Sequence, residues 1–216
     1  MEERRYDGLI DDMAELDSPT FEAEQLSKII RDFYEHTDQY SMKANIRWAG
    51  WFKPFAGIYD KISGHMQQLH LGITPGWQTM RGSIIAVKSD DDGRKRVRAW
   101  IRLNEQDEAI FVALYSTHQY AGETYMNIAL PLPHANMTGI LKPSNAGSDL
   151  VLSSVTRHTR RGDEGIYLHT RWMTSRLPLT EMFLIQESGD GNITANHTMR
   201  IFGIRFLAIS YQIEKH

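Results

Sequence analysis

Apolar residues recur along this chain at two different spacings, and the change between them divides it. Before residue 66 they fall at steps of three and four, and after residue 80 mostly at steps of two, the periods of a helix and of a half-buried strand. Ser18-Pro19 reads as an N-cap followed by proline at the first helical position. Glu22 and Glu24 then sit where the helix dipole favours acids. Leu26, Ile29, Ile30 and Phe33 form one stripe, which predicts a helix ending near Tyr34 or His36. Over residues 45–62, Trp48, Trp51, Phe52, Phe55, Ile58, Tyr59 and Ile62 predict an aromatic helix kinked at Pro54. The expected role of that stripe is to pack on the sheet. The alternative is an interfacial membrane helix using Arg47, Lys53 and Lys61, against which Asp60 counts.

From residue 80 onward the pattern predicts strands. The clearest pair flanks the polar link His118–Glu123: apolar runs over 110–115 and 125–130, the second stopped by Pro131 and Pro133, read as a β-hairpin near the centre of a sheet. Strands are also expected over 80–88, 96–103, 138–141, 150–156, 166–173, 181–186, 193–200 and 202–213. Asp-Gly and Gly-rich turns separate several of them. In the 96–103 strand, Val97, Ala99, Ile101 and Leu103 are assigned inward, and Arg96, Arg98, Trp100 and Arg102 outward.

The expected fold class is therefore mainly β with N-terminal helices (α+β). About ten strands would form an antiparallel meander, closed as a barrel or strongly curved. One domain is expected over 1–216, with a flexible stretch 1–17, a helical segment 18–66 and a β body 80–213. Gly76 and Trp77 are adjacent, unlike the spaced Gly-x-Trp of the lipocalins. The similarity to lipocalin-like barrels is thus one of strand count and architecture only.

Composition narrows the partners. A net charge of −3 argues against a general nucleic-acid binder. The absence of cysteine removes disulfides, thiolate metal sites and cysteine nucleophiles. Acids interrupt the N-terminus and no long apolar run occurs, so neither a secretory leader nor an integral membrane segment is expected, and the chain reads as soluble and cytoplasmic.

The candidate chemistry is scattered. His158, His169 and His197 fall on or near strands, but no His-x-His or His-Glu-x-x-His spacing occurs, so neither metal nor cofactor is expected. Tyr115, His118, Tyr120, Glu123 and Tyr125 collect acid, base and donor groups around the hairpin. Arg157, Arg160 and Arg161 make a basic cluster beside a turn. Arg171 and Arg205 sit in largely apolar strands, where a buried cation needs a partner or a polar ligand. Alternation puts Arg205 on the same face as Leu207 and Ile209, and gives Tyr167, His169 and Arg171 a shared face. The expected ligand-binding set is Arg205, Arg171, His169, Tyr167, His118 and Tyr125, around a hydrophobic or lipid-like small molecule in a barrel cavity. Two other functions fit the same residues. One is an enzyme acting on a small apolar substrate through Tyr, His and Glu groups. The other is an interaction module that docks on a protein or membrane surface through the aromatic helix 46–62.

Overall fold

The computed structural model describes residues 6–53, 76–87, 96–105, 109–155 and 162–216. Its strands are β1 (Tyr40–Trp48), β2 (Trp77–Ala86), β3 (Arg98–Leu103), β4 (Ala109–Tyr120), β5 (Glu123–Leu132) and β6 (Ala135–Ala146). They continue as β7 (Asp149–Ser153), β8 (Gly165–Thr170), β9 (Thr174–Arg176), β10 (Leu179–Glu187), β11 (Ile193–Ile201) and β12 (Ile204–Lys215). Ten of them close an antiparallel barrel in the order β1-β2-β3-β4-β5-β6-β7-β10-β11-β12, with β12 returning to pair with β1 from Tyr40↔Lys215 to Trp48↔Leu207. The mainly β antiparallel fold expected from the sequence is the fold observed. The ring leaves out β8 and β9: β8 pairs with the first half of β6, and β9 pairs with β8.

Antiparallel order sends successive connections to opposite ends of the barrel. One end carries the β2–β3, β4–β5, β6–β7 and β10–β11 connections, and the N-terminal segment packs there. The other, called the distal end here, carries the β1–β2, β3–β4, β5–β6, β8–β9 and β11–β12 connections.

The N-terminal segment plugs its end. Leu9, Ile10, Met13, Leu16, Leu26 and Ile30 are all buried there, each worth roughly 1.5–3 kcal/mol against exposure. Its one α-helix, α1 (Lys28–Glu35), turns Ile30 and Phe33 inward. Phe33 meets Tyr34 and Tyr40 edge-on at 5.3 Å and Trp100 at 6.3 Å. Polar bonds fix the seat: the Arg98 guanidinium donates to the Gly8 carbonyl (2.6 Å) and pairs with Asp11. Gly8 itself lies so close to the Glu35 backbone that a Cβ would come within 2.2 Å, so only glycine fits.

Three expectations need correcting. The helix begins at Lys28 and not at Ser18, because Ser18 and Phe21 close a small backbone-bonded turn first. Residues 45–48 are strand, not helix. Tyr40, Met42, Ala44 and Ile46 are buried while Lys43 and Arg47 are exposed, a period of two that begins before Asn45. Trp51 and Phe52 follow in a short 3-10 turn (Gly50–Phe52), and the rest of the expected aromatic helix, residues 54–62, lies outside the described residues. Finally, Arg98, Trp100 and Arg102, assigned outward, are the buried inward set of β3. Alternation separates two faces without saying which is inside, so a one-residue choice inverts the whole strand.

Candidate ligand-binding cavity

Between the plug and the distal end the barrel encloses a cavity of about 330 Å³. Its walls are apolar, with Ile46, Met80, Ile128, Leu179, Met199 and Ile209 among them, and Trp48, Phe52 and Phe206 line it toward the distal end. Phe52 stacks on Trp48 at 5.6 Å and meets Phe206 at 4.7 Å. Into this apolar wall five polar side chains are set: Arg102, Tyr115, Tyr211, Glu181 and His197.

Arg102 on β3 is 8% exposed. Its guanidinium lies over the Trp100 ring at 3.9 Å and the Phe111 ring at 4.6 Å. It donates from Nη2 to the Tyr115 hydroxyl (3.1 Å) and also hydrogen-bonds Tyr211. Its Nε has no hydrogen-bond partner, and no carboxylate among the described residues forms an ion pair with it. Burial pushes both tyrosines above the ordinary phenol pKa, with the arginine opposing the shift. Both therefore remain neutral hydroxyls at physiological pH. Each accepts from the arginine and keeps its own proton to donate.

Glu181 on β10 and His197 on β11 form the second polar group. Their side chains meet at 3.1 Å, Nε2 to Oε2, and both residues are 9% exposed. The strand register makes this possible: Phe183 stands opposite His197, and the two rings stack at 3.8 Å. The Glu181 backbone N–H donates to the Ser154 hydroxyl, and Ser154 donates back to the Glu181 carbonyl. The carboxylate rests against Gly139 of β6, where a Cβ would lie only 2.0 Å from Oε1. A side chain at 139 would evict the carboxylate.

None of the six residues expected to bind ligand lines this cavity. His118, Tyr125 and Tyr167 do come together, on the outer wall, where residues 162–164 cover β5. There the His118 ring stacks on Tyr125 at 5.1 Å and reaches Asn127 (3.0 Å) and Asp163 (3.3 Å). The Tyr167 hydroxyl donates to the Asp163 carbonyl. His169, Arg171 and Arg205 are exposed at the distal end, and Arg171 lies over the Trp172 ring. Arg205 shares the parity of Leu207 and Ile209 but lies beyond the barrel wall, beside the β11–β12 turn, opposite Arg200. His158 and the Arg157, Arg160 and Arg161 cluster lie outside the described residues. Of the other residues singled out from the sequence, Tyr115 and His197 do line the cavity. Arg102, named from the sequence but assigned outward, lines the cavity, as does Glu181, a charge flanked by apolar and hydroxyl residues in an alternating strand that was not singled out from the sequence. Among the described residues no group of three or more His, Asp or Glu side chains could hold a metal ion.

Fold and site together define a closed β-barrel with an internal, largely apolar cavity. No family model matches the chain, and no solved structure matches it. Among curated proteins it is similar to the uncharacterized membrane protein YndJ of Bacillus subtilis (strain 168), at 52% identity over 97% of this chain. The chain spans 38% of that relative's length. This finding corrects the soluble, cytoplasmic reading and the expectation of partners without a membrane, since so similar a protein is a membrane protein by name. No helix among the described residues is long and apolar enough to cross a membrane.

Proposed function

We propose that the barrel binds a compact apolar or single-chain lipid-like molecule whose polar head meets the Arg102–Tyr115–Tyr211 group. The observation that carries this reading is a buried guanidinium without a carboxylate partner, set in the wall of an apolar cavity. A charge so placed is costly unless something polar meets it, and an anionic head such as a carboxylate supplies that partner. At about 330 Å³ the cavity is at the small end of the ~300–1,000 Å³ usual for ligand sites. That size favours a short or single chain over a two-chain lipid. The membrane protein YndJ, so similar over this stretch, supports work at a membrane.

Native mass spectrometry of the freshly purified chain, before and after organic extraction, tests the reading. A discrete extra mass removed by extraction is expected, and its composition identifies the ligand class. A clean ligand-free mass from cells grown in several media overturns it. The Glu181–His197 pair favours a second reading, acid–base catalysis on the bound molecule. Chemical change of the extracted ligand on incubation with the wild type, absent with Glu181→Gln, is its test.

A further inference from the structure

The two ends of the barrel differ in what their connections expose. Among the described residues, six large apolar side chains stand in solvent at the distal end: Trp51, Trp77, Trp172, Met173, Phe202 and Ile204. They come from three separate connections, β1–β2, β8–β9 and β11–β12. At the plugged end the described turns are Ala121-Gly122, Gly147-Ser148 and the polar Ser188-Gly189-Asp190-Gly191-Asn192, and among the described residues Tyr120 is the large apolar side chain exposed beside them.

Two tips are built to hold their apolar residues outward. Trp172 is 84% exposed. The Thr170 hydroxyl oxygen accepts from the Trp172 and Met173 amides, and the Thr170 amide donates to the Met173 carbonyl. Phe202 is 78% exposed and has a φ of +48°, followed by Gly203 at +79°. This two-residue turn needs left-handed backbone at both positions, where Asn or Gly is the cheap choice. A phenylalanine held there at a cost in backbone energy, with its ring in water, points to a role outside the fold.

Charge divides the same way. Exposed cations at the distal end are Arg47, Lys53, Arg171, Arg200 and Arg205, against Glu105 among the described residues. At the opposite end the exposed acids Asp7, Asp11, Asp12, Glu22, Glu24 and Asp38 outnumber the exposed cations Lys28, Arg96 and Lys215. In a chain of net charge −3, the described residues of the distal end are thus cationic and aromatic-tipped. Aromatic side chains interleaved with arginine suit the interface of an anionic bilayer, the rings among the headgroups and the cations on lipid phosphates.

We propose that the distal end docks on an anionic lipid surface through Trp172, Phe202 and their neighbours, with Arg171 and Arg205 pairing to headgroup phosphates. Docking there would set the end of the cavity lined by Trp48 and Phe52 against the lipid from which an apolar ligand would come. The route for the ligand rests on the cavity reading above; the docking itself does not.

The test is flotation of the purified chain with phosphatidylcholine vesicles, with and without phosphatidylglycerol, alongside calorimetric titration with decanoate to follow the cavity. Binding to the anionic vesicles is expected, with little to the neutral ones. Trp172→Ser/Phe202→Ser should lower the vesicle-bound fraction about tenfold or more. Arg171→Glu/Arg205→Glu should remove the preference for phosphatidylglycerol. All four side chains are exposed, so both variants should keep the wild-type circular dichroism and decanoate affinity. No binding of the wild type to anionic vesicles overturns the proposal, as does unchanged binding by both variants. A dimer that Trp172→Ser/Phe202→Ser dissociates, without vesicle binding by the wild type, reassigns the face to a second copy and also overturns it. Vesicle binding without decanoate binding upholds docking and removes the cavity reading.

Discussion

Replacing Arg102 with methionine separates a structural arginine from one kept for a ligand. The guanidinium lies 3.9 Å and 4.6 Å from the centres of two aromatic rings, desolvated contacts worth about 2 kcal/mol each. Its hydrogen bonds to the Tyr115 and Tyr211 hydroxyls add roughly 1.5–3 kcal/mol each. Burying the unpaired cation costs several kcal/mol in return, even after relaxation. These opposing contributions are of the same order, and a methionine of similar length fills the space with apolar contact without the desolvation cost. The urea midpoint of Arg102→Met should therefore correspond to a stability within about 2 kcal/mol of wild type, of either sign. Ligand binding should respond far more. A carboxylate head that loses a charge-assisted hydrogen bond in an apolar cavity gives up about 2–3 kcal/mol, roughly 30- to 150-fold in affinity. Calorimetry with decanoate and decanol, run on both proteins, isolates the charge: decanoate should weaken by that factor and decanol should scarcely change. Unchanged decanoate affinity would falsify the assignment of Arg102 to the head. A loss of stability beyond about 3 kcal/mol would show that the arginine holds the fold.

Three further expectations follow from named contacts. Gly139→Ala places a methyl 2.0 Å from Glu181 Oε1; it should cost about 1–3 kcal/mol in urea melts and perturb the His197 ring signals in NMR spectra by breaking its contact with Glu181. For Glu123, burial works to raise the pKa, but the 2.9 Å ion pair with Lys142 and the Thr20 hydroxyl outweigh it and hold it below its ordinary 4.5. For Asp32, hydrogen bonds from Lys215 and Tyr40 likewise outweigh burial and hold it below its ordinary 3.8. A carboxylate depressed in the folded state stabilises above its unfolded pKa and loses that contribution as pH falls through the folded one. Stability should thus decline below about pH 4.5, and Glu123→Gln should flatten part of that decline in melts at stepped pH. Phe202→Asn relieves a phenylalanine at φ +48° and should raise stability by up to about 1 kcal/mol while weakening vesicle binding, a trade between fold and surface that an unchanged melting curve would contradict.

Much of the β body was legible because alternation is a local signal. The 110–115 and 125–130 runs became β4 and β5, joined by Ala121-Gly122 with positive φ at both residues. The strand at 40–48 was missed because Trp48, Trp51 and Phe52 also satisfy a helical spacing when reading starts at Asn45. The three residues of β9 are too short to carry a period. The cavity was harder still. Arg205 and Arg102 are both arginines in alternating strands, and which of them faces inward depends on where the barrel wall ends and on a two-fold choice of face. The Glu181–His197 contact joins two strands through their register, a relation between segments that no window along the chain contains.

Closure of the ring through β1 and β12 has a consequence for how the chain folds. The nine residue pairs from Tyr40↔Lys215 to Trp48↔Leu207 join segments far apart in the sequence, contacts that are slow to form because the loop entropy between them must be spent first. During synthesis β1 is made before β12, so the edge of β1 that pairs with β12 stays unpaired until that strand has left the ribosome. An exposed strand edge of that kind invites pairing with other chains. Lys43 and Arg47, exposed on β1, put charge on the outer face of that strand, which disfavours such pairing until β12 is made.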